Sequence, residues 1–379
     1  TNSGIITTHI FALGVVMSFM LGALMQMLPV LAGVVISNPT KKALRVQWLV
    51  IFGTISLLLS FNSGQTPLYI LSAILLGFAI LPLGADILTK LVALRTHSSS
   101  STGMSFALIG LIALYIIGLT LLGIRSGWVE GLSYTALKTA HYSFALFGWV
   151  ALLIISVSFQ VIEMFYVTSP YPKLIQRLFP TTINLLSLFI MISAILFPIL
   201  QECAKAVIYI LLLAYALITL HRLYNRKRAV SDATVWFWYI GMGALALSMV
   251  GALLSSVVDG IAIESIAVVY VVFVVSVIFA MSYKIVPFLV WFHLNAQGYF
   301  KAPMMHEVIH PKYSKMHLCL HSMTIIVSLI ASQVELLWSV AGVAMILSFG
   351  MLALSIYRAW HIYLDTKKSG ERFDMGSFK

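Results

Sequence analysis

The chain reads as an all-α, polytopic membrane bundle, and three observations predict this. Of its 379 residues 61% are hydrophobic and 9% charged, which leaves too little polar surface to wrap a water-soluble core. Apolar segments of roughly 17–25 residues, the length that crosses about 30 Å of hydrocarbon, follow one another almost without pause. Their unbroken Leu, Ile, Val and Phe character fits helices and lacks the period-two alternation of a barrel strand.

About eleven helices are expected, over 6–34, 45–62, 66–90, 103–124, 136–165, 180–199, 204–224, 233–255, 260–293, 316–332 and 337–364, in one membrane domain spanning 1–379. The first holds His9 to Gly33, HIFALGVVMSFMLGALMQMLPVLAG, with a histidine in its first turn and Gln26-Met27-Leu28-Pro29 in its last. Ser98 to Ser101 reads as a short polar loop, and Tyr166 to Pro172, YVTSPYP, as a turn-rich break after the fifth helix. The aromatic run Trp236-Phe237-Trp238-Tyr239 reads as an interface belt. Asn295 to Lys315 is the longest hydrophilic interruption.

The loops alternate in charge. Lys41, Lys42 and Arg45; Lys90 and Arg95; Lys173 and Arg177; Arg222, Arg226, Lys227 and Arg228; Lys301, Lys312 and Lys315; and the basic tail from Arg358 all fall on one side. The other keeps Arg125, Lys138 and Lys205 beside Glu130, Glu202, Asp259, Glu264 and Glu335. The positive-inside rule then puts the C-terminus in the cytoplasm and, across an odd number of helices, residue 1 outside. The chain starts at Thr1 with no signal-peptide pattern, so one preceding helix is expected to be missing from this numbering, giving twelve in the natural protein. A net charge of +11 is topology information here, and no nucleic-acid partner is expected. Cys203 and Cys319 lie far apart and form no disulfide framework.

Parts of the first helix return. The fifth reads His141, Phe144-Ala145-Leu146 and Gln160-Val161-Ile162-Glu163-Met164, against His9, Phe11-Ala12-Leu13 and Gln26 to Val30. The ninth ends Tyr283-Lys284-Ile285-Val286-Pro287, with Lys284 in the place of the glutamine and Pro287 in that of Pro29 and Glu163. Three four-helix units, roughly 1–102, 103–232 and 233–379, with a pseudo-threefold relation and the opening helix absent, are the simplest architecture. His9 and His141 then stand at equivalent heights near the outer surface. Neutral imidazole is the commonest metal ligand, while an interfacial histidine satisfied by a helix-end carbonyl or water is the plainer alternative.

A helix that starts on the outer side with His and ends in a Met-rich, Pro-containing turn, as His9 to Gly33 does, resembles the second helix of the haem-copper oxidase subunit I superfamily. The resemblance implies twelve helices, both ends cytoplasmic, and an approximate threefold arrangement in which the first, fifth and ninth helices here become the second, sixth and tenth. It implies a haem-ligating role for His9, and it sets His141 where that family ligates copper. The departures are as informative. Position 145 is Ala where the family has a cross-linked Tyr, no His-His pair follows, and the ninth helix lacks the histidines that hold the haem irons. An oxygen-reducing centre cannot be assembled, and the chain is closer to non-oxidase relatives such as the NnrS-type haem- and copper-containing membrane proteins of bacteria. Haem b or copper is the implied cofactor, on His9 or His141, with Met17 as a weak further ligand. Helix 1 also carries Met20, Met25 and Met27; thioethers select Cu(I), although methionine is also ordinary packing material.

Two further constellations stand out. Met304 to Met323 holds His306, His310, His317 and His321 with Cys319, a candidate copper or zinc docking site in a cytoplasmic loop. His306-Glu307-x-x-His310 matches the zinc-protease string, but Pro303 and Pro311 bracket it and no third ligand is evident. Asp86, Glu163 and Lys284 near helix ends are candidate proton or ion relays, Glu163 and Lys284 as partners, against simple snorkelling to the interface.

The leading expectation is a bacterial inner-membrane haem- or copper-binding protein of oxidase-like architecture, acting in metal or haem handling or redox signalling, with no catalytic residues assigned. A proton-coupled permease for a small solute or metal ion is one alternative. An assembly or accessory subunit of a respiratory membrane complex is another. The lipid bilayer is the expected partner, with other membrane subunits or a second copy of the chain as further candidates.

Overall fold

The structure is a computed structural model and describes residues 2–227, 232–299, 301–331, 334, 336–370 and 372. Arg228 and Glu335, read above as loop charges, lie outside the described residues, as does the tail beyond 372. Within them the secondary structure is helical throughout, save one isolated antiparallel bridge between Tyr299 and Arg372. The elements are α1 (Asn2–His9), a π-helical segment (Ile10–Met17), α2 (Ser18–Ala32), α3 (Pro39–Ser63), α4 (Thr66–Val92), α5 (Ser99–Arg125), α6 (Tyr134–Ser143), a second π segment (Phe144–Ala151), α7 (Leu152–Tyr166), α8 (Lys173–Leu196), α9 (Pro198–Tyr224), α10 (Ala233–Leu254), α11 (Ile263–Ala296), α12 (Met305–Val308), α13 (Pro311–Ala331) and α14 (Leu337–Lys368). Eleven spans among these are long and apolar enough to cross a membrane. The all-α multi-pass bundle is therefore as the sequence predicts.

The chain divides into two compact units, Thr1–Ile218 and Thr219–Lys379. In the first, α3 shows how lipid sorts a helix. Val46, Val50, Gly53, Leu57 and Phe61 are buried on one face, while Trp48, Phe52, Ile55 and Leu59 are exposed on the other. A soluble protein would not tolerate so long an apolar stripe; hydrocarbon makes it the natural outer surface. Hairpin α3–α4 turns on Gly64, whose φ of 70° is open to glycine without strain. Interhelical bonds tie the unit further: Tyr115 Oη donates to the Ala73 carbonyl at 2.7 Å, Asn184 Nδ2 to the Phe106 carbonyl at 3.0 Å, and Tyr215 Oη to Ser158 Oγ at 2.9 Å. In the second unit α10 packs on α11 and α13 on α14.

Three local expectations change. Ser98 to Ser101 is the start of a helix and no loop, because the Ser98 side chain caps α5 by accepting from the Ser101 N–H at 3.0 Å. Helix α8 begins at Lys173, seven residues before the expected 180, since Pro180 is carried inside the helix instead of opening it. Of the aromatic belt, Trp236 is exposed, but Phe237 and Trp238 are fully buried: α10 turns them into the core of its unit.

The two π segments are the main departure from regular geometry. Each is followed by a 15-residue α-helix that ends on a left-handed residue, Gly33 (φ 65°) or Val167 (φ 53°). Gly14 and Gly148, Gln26 and Gln160, Pro29 and Glu163, and the two caps all share one offset, so the first and fifth spans match in backbone as well as sequence. Helix α11, the third station of the expected repeat, runs as one unbroken α-helix over 34 residues. A π turn widens the helix by an extra residue and re-aims the side chains beside it, and such turns concentrate at functional sites.

The second π segment lies against α5 at a glycine. A Cβ placed on Gly110 would stand 2.3 Å from the Gly148 carbonyl oxygen, a backbone atom with little freedom to retreat. Gly110→Ala is expected to cost about 1–3 kcal/mol through overpacking, read as a lower unfolding midpoint in detergent; an unchanged midpoint would show that the crossing is looser than described.

Candidate functional site

His9 ends α1 and His141 sits in the last turn of α6, each just ahead of a π segment. Their imidazoles are neighbours, with ring centroids 6.3 Å apart and planes inclined by 24°. His9 Nδ1 lies 2.8 Å from the Ile5 carbonyl oxygen, which can only accept, so Nδ1 carries the proton and Nε2 keeps the lone pair. His141 Nδ1 is buried with no partner in hydrogen-bond geometry, although the Leu114 backbone lies beside the ring. Gly118 of α5 lets the ring in: a Cβ there would meet His141 Cε1 at 3.1 Å.

An aromatic and cationic border surrounds the pair. Phe61 packs against His9 at 5.2 Å between centroids and against Tyr69 at 6.1 Å. Arg125 Nε donates to Tyr69 Oη at 3.1 Å, and its guanidinium carbon stands 5.5 Å from the Phe61 ring centroid. The alternation of helix directions explains the convergence, since His9, Tyr69 and His141 come early in their spans and Phe61, Gly118 and Arg125 come late in theirs. Nothing in the sequence marks Phe61, Tyr69, Gly118 and Arg125 as neighbours of His9 or His141, because each is an ordinary residue near a helix end. Met17 closes the first π segment and is buried.

The four-histidine stretch divides. His306 and His310 are exposed; His306 and Glu307 lie on the four-residue α12, and His310 lies beyond it, so the one-turn spacing of the zinc-protease string has no helix to act on. Glu307 instead accepts the Met304 N–H at 2.7 Å. His317 and His321 lie in α13, as the helix expected over 316–332 has them. They face inward one turn apart on α13, at 0% and 2% exposure. His317 Nδ1 is 3.0 Å from Tyr283 Oη and its Nε2 is 2.7 Å from Ser348 Oγ. His321 Nε2 is 2.8 Å from Ser276 Oγ, and its Nδ1 is buried without a partner. Among the described residues no three His, Cys, Asp or Glu side chains converge as a ligand set.

Two of the relay candidates are held in ion pairs. Asp86 bridges Lys42 at 2.7 Å and Lys90 at 3.0 Å and is partly exposed. Glu163 is exposed near the end of α7. Lys284 is buried and ion-paired with Asp232, the N-cap of α10. Asp232 precedes its helix and accepts the Thr234 and Val235 N–H groups as well, which is why a carboxylate rests there.

Comparison of the chain with protein-family models, with curated proteins and with solved structures returned no match.

Burial pushes the Asp232 carboxyl up, but the Lys284 charge and hydrogen bond, with the Thr234 hydroxyl and the Val235 N–H, outweigh it and hold the group below the usual carboxylate range. A depressed folded value means that the pair stabilises the fold above the ordinary Asp value of about 4 and that this contribution is lost as pH falls through the folded value. Asp232→Asn is expected to cost about 2 kcal/mol at neutral pH, less than the 3–5 of a fully buried pair because the carboxylate is partly exposed. The loss should shrink in unfolding titrations below about pH 4; a loss that persists unchanged into acid would refute the assignment.

Proposed function

We propose that the chain is a membrane metalloprotein of haem-copper-oxidase-like descent in which His9 and His141 share one haem iron or one copper ion, and that it handles metal, haem or a redox signal without reducing oxygen. The ring geometry carries this reading. His9 and His141, with ring centroids 6.3 Å apart and planes inclined by 24°, are the residues that would hold the ion between them.

The surroundings support it in three ways. The Ile5 carbonyl fixes the His9 tautomer, the outer contact that metal-ligating histidines make. His141 Nδ1 has only the Leu114 backbone beside it and no bond in full hydrogen-bond geometry. The flanking π segments occur at matching places on two spans, where a regular helix would be cheaper. Haem or copper bound there would supply one-electron chemistry. The protein's own share is to hold both rings, through Phe61 and the Gly118 gap, and to set Arg125 within the same aromatic border, where its fixed positive charge favours an anionic group or an added electron.

In this reading the protein lies in a bacterial cytoplasmic membrane with its C-terminus inside and the His9–His141 end outward, which the loop charges support. The permease alternative gains nothing comparable, since Asp86 and Lys284 are engaged in local ion pairs and Glu163 is exposed.

Detergent-purified protein is expected to carry either a Soret band that shifts on reduction or one copper ion per chain. His9→Ala and His141→Ala should each lower that occupancy at least tenfold while helical circular dichroism stays unchanged. A folded wild-type chain with neither signal overturns the proposal.

A further inference from the structure

His317 and His321 pose a separate problem in the second unit. Both rings are buried in a membrane-spanning segment, among Phe237, Phe279 and Tyr283. Each turns its Nε2 to a serine hydroxyl on a neighbouring helix, His317 to Ser348 of α14 and His321 to Ser276 of α11. Each serine hydroxyl can accept from Nε2 or donate to it, and in the tautomer where it accepts, the imidazole lone pair stands on Nδ1. In that tautomer the His317 lone pair receives the Tyr283 hydroxyl and the His321 lone pair receives nothing.

As a mere fastening between helices this is a poor choice. Interhelical hydrogen bonds in membranes contribute modestly, and a buried group left unmet costs at least as much as one of them gains. The pair does match another pattern. Two histidines one turn apart on one helix face can hold a single metal ion, provided their outer N–H groups are fixed by other partners. The exposed string His306-Glu307-x-x-His310 has the spacing without the helix. His317-Leu318-Cys319-Leu320-His321 has both.

We propose that His317 and His321 form a metal site of their own, taking Cu(I) through their Nδ1 atoms, with the Tyr283 hydroxyl leaving His317 Nδ1 as the ion enters. The charge follows from the acids. Among the described residues of this unit, Asp232 is paired with Lys284, and Asp259, Glu264, Glu307 and Asp365 are exposed. A dication held by neutral ligands alone in a dry interior carries a heavy desolvation cost, which a monovalent ion reduces. Imidazole suits copper, and Phe279 and Phe237, 5.1 and 5.5 Å from the His321 centroid, add ring quadrupoles that attract a cation.

This site does not depend on the His9–His141 reading, and the test separates the two. The full-length His9→Ala/His141→Ala chain is titrated anaerobically with Cu(I) against a colorimetric Cu(I) chelator. One ion per chain is expected, with X-ray absorption giving imidazole scattering, and adding His321→Gln should weaken binding at least tenfold. A parent that binds no Cu(I), an affinity that His321→Gln leaves unchanged, scattering without imidazole, or preference for Zn(II) over Cu(I) each overturns the proposal. Should the double-alanine background not fold, wild type is compared with His321→Gln, and a difference of one Cu(I) equivalent is expected; no difference overturns it.

Discussion

Hydrocarbon offers a polar group nothing to bond with, and the architecture of this chain follows from that single restriction. Backbone amides retreat into helices, and most buried hydroxyls bend back to a carbonyl three or four residues earlier, as Ser60 does to Leu57 and Ser187 to Ile183. Among the described residues nine buried side-chain atoms keep no partner, and the ring nitrogens of His141 and His321 are two of them, beside such atoms as Ser143 Oγ, Trp149 Nε1 and Trp238 Nε1.

Much of the fold was legible because lipid reads composition. Runs of Leu, Ile and Val between basic loops locate the spans, with ends that miss by one residue for α10 and by six or seven at the starts of α3, α8 and α9. The failures have local causes. Pro180 looks like a helix start and is carried within α8; Ser98 looks like loop and is a cap. Both residues have two roles that only the neighbouring backbone distinguishes.

The candidate sites were half legible. His9 and His141 could be paired because two spans share a pattern, and that pattern holds down to the π segments. Their border could not be read, since Phe61 and Arg125 reach the histidines only through the order in which helices pack. His317 and His321 fall within the helix expected over 316–332, although the charges of Lys312 and Lys315 hide that α13 begins at Pro311. Their one-turn spacing was visible throughout; the Ser276 and Ser348 partners, on two different helices, were not.

The matched π segments carry a consequence for the register of the spans. Each of the two segments takes eight residues off the regular register, and the fifteen residues after it return to that register. The first and fifth spans make this departure at one shared offset of sequence, and α11 runs its 34 residues without it.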